Sequence, residues 1–87
     1  MSSYSVIIPK PVQKQIDKLP KETRDRILEK ILELVEEPRS SGTKKLKGSD
    51  NEYRVRVGDY RIRYEIDDGE FIVLISSCRH RKDAYRD

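Results

Sequence analysis

The stretch that decides the fold is Tyr53-Arg54-Val55-Arg56-Val57-Gly58-Asp59-Tyr60-Arg61-Ile62-Arg63. Arginine alternates with apolar residues on both sides of Gly58-Asp59, which is the period-two pattern of strands with one buried face. A two-residue Gly-Asp loop joins the strands as a hairpin. It pairs Val57 with Tyr60, Arg56 with Arg61, Val55 with Ile62 and Arg54 with Arg63. Tyr53, Val55, Val57, Tyr60, Ile62 and Tyr64 then cover a core. The opposite face carries four arginines in two directly opposed pairs. Like charges facing each other across a ladder are destabilising, by roughly 0.2–1 kcal/mol a pair. That arrangement makes sense where a polyanion binds, and RNA is the first candidate.

Working outward, Tyr4 to Ile8 alternates as a first strand, ended by Pro9 and Pro11. Pro11 suits the first turn of a helix. Val12, Ile16 and Leu19 recur at helical spacing until Pro20 interrupts. From Lys21 the pattern resumes, with Ile27, Ile31, Leu34 and Val35 as one stripe, widened by Leu28 and Leu32. Pro38 stops this second helix, and the two form an αα-hairpin. Arg39 to Asn51 reads as a loop that carries Lys44-Lys45-Leu46-Lys47-Gly48. After the arginine hairpin, Asp67-Asp68-Gly69 signals another turn. Phe71 to Ile75 is continuously apolar, as expected of a central strand covered on both faces. The polar tail from Arg79 closes with a helical turn. The order β-α-α-β-β-β predicts an α+β fold, an N-terminal strand and a three-stranded antiparallel meander with helices on one face. Residues 1–87 form a single domain.

Eighty-seven residues bury one modest core. The charged fraction of 40% accompanies clear apolar periodicity, so it reads as a solvated surface rather than disorder. A net charge of +3 is mild, and its distribution says more. Between Thr43 and Arg63 stand seven Lys or Arg against three Asp or Glu, and Arg79-His80-Arg81-Lys82 adds a second basic cluster. One cysteine, Cys78, excludes an internal disulfide, and with one histidine it cannot supply a structural zinc site. Its place at the end of an apolar strand suits a small buried hydrophobe. No metal or cofactor is expected. No apolar run approaches membrane-spanning length, nothing near Met1 resembles a signal peptide, and residence in the cytoplasm is the expectation.

Leu46-Lys47-Gly48, Gly58-Asp59-Tyr60-Arg61-Ile62 and Arg79-His80-Arg81-Lys82-Asp83-Ala84-Tyr85, in this order and spacing, resemble the RelE/ParE toxin superfamily of type II toxin–antitoxin pairs. The resemblance covers nearly the whole chain and is nearer to the RelE branch. It implies a ribosome-dependent mRNA endoribonuclease that cuts translated message in the A site. A ribose 2′-oxygen attacks the adjacent phosphate without metal or cofactor. It also implies a cognate RelB-like antitoxin, acidic and partly disordered, with DNA reached only through the antitoxin complex. Leu28 and Leu32, at the edge of the helical stripe, are candidates for that partner's surface. Two other readings remain open: a ParE-like noncatalytic inhibitor of DNA gyrase, and a noncatalytic RNA-binding domain.

The resemblance matches Arg61 to the family's hairpin arginine and Arg79 to an arginine just after the last strand. Guanidinium forks match phosphate oxygens bidentately and keep their charge, so these two are expected to clamp the reacting phosphate. Arg54 and Arg56 stand where RelE proteins often carry lysines, one of them proposed as a general base. A guanidinium does not deprotonate in proteins, so both are expected to grip backbone instead. His80 is either the substitute acid or base or a surface contact. Tyr85 matches a C-terminal tyrosine, as a stacking ring, a proton shuttle or a tail anchor. Lys44, Lys45, Lys47 and Arg81 are expected to contact RNA. Arg63 shares the basic face or pairs with Glu65.

Overall fold

The computed structural model describes residues 3–48 and 50–84. Within them the chain runs β1 (Ser5–Ile7), α1 (Lys10–Asp17), α2 (Lys21–Glu36), β2 (Thr43–Lys45), β3 (Glu52–Val57), β4 (Tyr60–Asp67), β5 (Ile72–His80) and α3 (Arg81–Ala84). Prolines set the helix starts. Pro9 and Pro20 are the N-caps of α1 and α2. Their carbonyls accept the Gln13 and Arg24 N–H groups, each at 2.9 Å. Pro38, buried just past α2, prevents its continuation.

The strands form one sheet in the order β1-β5-β4-β3-β2. β1 lies parallel to β5, and the other neighbours are antiparallel. The arginine hairpin has the register read from its sequence, from Val57 opposite Tyr60 to Arg54 opposite Arg63. Gly58 holds φ at 58°, the first-position geometry that a two-residue hairpin loop asks of glycine. One expectation needs correcting. The segment Arg39–Asn51 is not all loop, because Thr43, Lys44 and Lys45 pair with Val55, Arg54 and Tyr53 as a fourth antiparallel strand. A three-residue edge strand rich in lysine resists edge-to-edge pairing, and its composition resembles that of a loop.

The two longer helices cover one face of the sheet. Val12 and Ile16 of α1 and Ile27, Ile31 and Leu34 of α2 join Val55, Ile62, Tyr64, Ile66, Val73, Ile75 and Cys78 in a single buried cluster. Each fully buried aliphatic side chain contributes about 1.5–3 kcal/mol before entropy is counted. Leu28 packs partly against this core, whereas Leu32 is 65% exposed and lies outside it. The Tyr64 hydroxyl, inside the core, donates to the Pro38 carbonyl at 2.6 Å. Burial pushes its pKa up to about 12.

An exposed clasp ties four segments together. Asp68 accepts from the Tyr4 hydroxyl at 2.6 Å and from Arg39 Nη2 at 2.8 Å. Arg39 also donates to the Tyr53 hydroxyl at 3.0 Å and lies 5.3 Å from that ring's centroid. The Arg39 guanidinium first, and then the Tyr4 hydroxyl, hold the Asp68 carboxyl below the usual carboxylate range. Its stabilising effect is complete above the ordinary Asp range and is lost as pH falls through the depressed value. Acid therefore loosens β1 before the centre of the sheet. In hydrogen exchange, the Ser5 amide, bonded to the Phe71 carbonyl, is expected to lose protection at low pH, and already at neutral pH in Asp68→Asn. Equal protection in that variant would refute the clasp.

Candidate nucleic-acid interface

Strand alternation sorts the face away from the helices into rows. Nearest the hairpin tip, Arg56, Arg61 and Arg79 stand in register across β3, β4 and β5. Two residues further along the strands, roughly 6–7 Å away, Lys44, Arg54, Arg63 and Ser77 stand in register across four strands. The next row reverses sign, with Glu52 directly opposite Glu65. Arg63 Nη2 lies 3.9 Å from Glu52 Oε1 across this boundary. The cationic field is thus two rows deep and ends at a carboxylate fence.

Arg79 reaches this face because β5 is irregular. Arg63 pairs with Ser77 but the next residue, Tyr64, pairs with Ile75, so Ser76 is an extra residue in β5. Val73 and Ile75 face the core, and after the bulge Cys78 does. Ser77 and Arg79 are thereby turned to the basic side. Burial pushes the Cys78 thiol up to about 11, which suits a core atom rather than a nucleophile.

Between the rows lies a basin of about 280 Å³ lined by Leu46, Lys47, Arg54, Arg61, Arg63, Ser77 and Arg79. A neighbouring hollow is lined by Gly42, Lys44, Arg54, Val55 and Arg56, and a smaller one by Arg56, Gly58, Asp59, Tyr60, Arg61 and Arg81. Arg54, Arg56 and Arg61 are each shared between two of the three linings. Arg81 is placed by its main-chain N–H, which donates to the Asp59 carbonyl at 2.7 Å. Its Nε also lies 3.9 Å from the Asp59 carboxylate.

Of the residues singled out in the sequence, Arg54, Arg61, Arg63, Arg79 and Lys47 come together in the basin, with Lys44, Arg56 and Arg81 on its flanks. Lys45 does not join them, since it is in register with Tyr53. His80, read from the sequence as a substitute acid or base or as a surface contact, is not among the residues lining the basin. It is in register with Tyr60, whose ring packs on the core. The two rings meet edge-on with centroids 5.2 Å apart. His80 Nδ1 accepts the Lys82 N–H at 3.2 Å. One residue of alternation separates it from the arginine face. Tyr85 lies outside the described residues. Ser77 and Leu46 were missed in the sequence. Ser77 carries no motif, and its position follows only from the bulge. Among the described residues no three His, Cys, Asp or Glu gather as a metal site would, and no helix is long and apolar enough to cross a membrane.

Directly opposed arginines cost the hairpin stability. Arg56→Thr relieves the repulsion with Arg61 and adds a β-branched residue to a strand. Its thermal midpoint is expected to rise by a few degrees, from a few tenths to about 1 kcal/mol, with the gap narrowing in salt. A lowered midpoint would contradict this account of the face.

The sheet order, the two helices on one face and the arginine-lined basin define a RelE/ParE-type toxin. A family profile described as ParE toxin of type II toxin–antitoxin system, parDE, matches residues 6–85, and the chain belongs to that family. It is a RelE-like toxin of a type II toxin–antitoxin system. A curated relative from Methanocaldococcus jannaschii, named RelE1, is 33% identical over 95% of this chain and 96% of its own length. The toxin in the archaeal RelE–RelB complex of Pyrococcus horikoshii superposes with a TM-score of 0.81 at 34% identity, over 91% of this chain and 96% of that one. The Mycobacterium tuberculosis toxin–antitoxin complex RelBE2 gives a TM-score of 0.79 at 28% identity, over 91% and 99%.

Proposed function

We propose that this toxin is a ribosome-dependent mRNA endoribonuclease that blocks translation by cutting message in the A site. The observation that carries this reading is Arg61 directly opposite Arg79 in one cation-lined basin. In the reaction a 2′-oxygen attacks the adjacent phosphorus, the P–O5′ bond breaks, and a 2′,3′-cyclic phosphate and a 5′-hydroxyl result. Charge builds on the nonbridging oxygens as this happens. Fixed guanidinium donors aimed at that charge are usually the largest catalytic contribution. Arg54, Arg63 and Ser77 hold the neighbouring backbone, while Arg56, Arg81 and Lys44 extend the grip along the strand and onto ribosomal RNA. Tyr85 stacks on a splayed base or moves a proton from the tail. His80, set against Tyr60, positions the end of β5 and so the Arg79 beside it. No step in this scheme calls for a metal.

The relatives solved as RelE–RelB and RelBE2 complexes support a RelB-like antitoxin for this chain. Exposed Leu32 beside half-buried Leu28 offers an apolar strip on α2 for a partner helix. An acidic, partly disordered antitoxin would complement the arginine face and supply the contact with DNA. Action on the ribosome places the toxin in the cytoplasm.

Primer extension on a message translated in vitro tests the reading, with the same RNA lacking ribosomes alongside. Cuts at codon positions on translated RNA alone are expected. The family description names ParE, so a gyrase supercoiling assay runs in parallel. Intact message with arrested supercoiling would replace the nuclease reading with noncatalytic gyrase inhibition. Intact message bound without either effect would leave an RNA-binding domain.

A further inference from the structure

The basin supplies charge in abundance, but the reaction also needs a proton on the leaving 5′-oxygen. Its lining is four guanidiniums, one hydroxyl, one leucine and one amine. Guanidinium keeps its protons in proteins, and a serine hydroxyl is a poor acid without a base behind it. His80 is turned to Tyr60. Among the described lining residues, the Lys47 ammonium is then the group that can give up a proton and take another back.

Lys47 is also placed rather than merely present. β2 pairs with β3 up to Lys45 opposite Tyr53. The Leu46 N–H then donates to the Glu52 carbonyl at 2.9 Å, extending the tether one residue further. Immediately after Lys47, Gly48 takes φ +80°, a left-handed turn that L side chains rarely adopt. The chain is thus held on one side of Lys47 and turned sharply on the other. Lys47 thereby joins the lining of the basin.

We propose that Lys47 is the general acid of the cleavage, an assignment that rests on the nuclease reading above. As the 2′-oxygen forms its bond to phosphorus and the P–O5′ bond breaks, the Lys47 ammonium passes a proton to O5′. The 2′-hydroxyl proton leaves to solvent water, and solvent reprotonates the amine. The step is a transesterification and needs no co-reactant. Lys44 on the adjoining hollow and Lys45 on the other side of β2 do not share the function.

The test uses single-turnover cleavage on ribosomes programmed with a short synthetic message, in two versions. One has an ordinary phosphodiester at the cut, and the other a bridging 5′-sulfur, whose thiolate departs without being protonated. The full chain is compared with Lys47→Arg, Lys47→Ala and Lys44→Ala, each checked for an unchanged melting temperature. With the ordinary linkage, Lys47→Arg and Lys47→Ala are expected to lose on the order of 10²-fold or more in rate, although Lys47→Arg keeps the cation. With the sulfur linkage both should cut at nearly the unsubstituted rate. Lys44→Ala is expected to show no linkage-dependent loss. Wild-type cutting by Lys47→Arg, or a Lys47→Ala defect that sulfur does not relieve, would overturn the assignment and leave Lys47 a phosphate contact. Failure of the unsubstituted chain to cut either message would instead overturn the nuclease reading, and the assignment with it.

Discussion

Replacing Arg61 or Arg79 with alanine is expected to slow single-turnover cleavage of translated message by roughly 10²–10³-fold, about 3–4 kcal/mol of transition-state stabilisation. The two side chains come from directly opposed positions on β4 and β5 and line one basin. They meet the same developing charge, so the double variant should lose less than the sum of the single losses. Lysine at either position should recover only part of the rate, because a point charge replaces a planar fork. Neither arginine belongs to the buried core cluster, and the alanine variants remove one of two opposed charges. Thermal midpoints should therefore change far less than activity. A variant that cuts at the unsubstituted rate would remove that arginine from the active site. A variant that loses activity by unfolding would show it in the melt.

The second large effect is on stability. Ile75 is 0% exposed and sits opposite Tyr64 immediately before the bulge. Ile75→Ala deletes atoms from the middle of the core and leaves a cavity, at a cost of about 2–5 kcal/mol. A domain of this length has only about 4–13 kcal/mol in total, so the variant should lose a large share of its stability. Leu32→Ala, on the exposed side of α2, should stay within about 0.5 kcal/mol of the parent. Urea melts measure both, with Cys78 as an internal reporter. Its thiol is buried and pushed up to about 11, so reagents at neutral pH label it only in opened molecules. Much faster labelling in Ile75→Ala is the expected companion result. An Ile75→Ala loss below 1 kcal/mol would mean that the core around the bulge relaxes to fill the space.

Different parts of the site were legible to different degrees. Arg54, Arg61 and Arg63 could be placed together because their register follows from a two-residue loop and a side-chain period of two. Lys44 lies on the arginine side and Lys45 on the other, yet they are adjacent cations in what reads as a loop. Only the pairing of β2 with β3 distinguishes them. His80 and Arg79 are likewise neighbours in a basic cluster, and nothing in that cluster reveals which of them faces the basin.

The sequence by itself determined the arginine hairpin: alternation fixes which residues are buried, and Gly58-Asp59 fixes the turn, so local rules leave one register. The side of the sheet on which Arg79 emerges was decided only by the tertiary structure. Unbroken alternation from Val73 and Ile75 would send Ser77 and Arg79 into the core and Cys78 out. The extra residue at Ser76 reverses this, burying Cys78 and setting Arg79 beside Arg61. A bulge of this kind has no local signature. It is selected because the alternative buries a guanidinium and exposes a hydrophobe, a choice that exists only once the helices cover the other face.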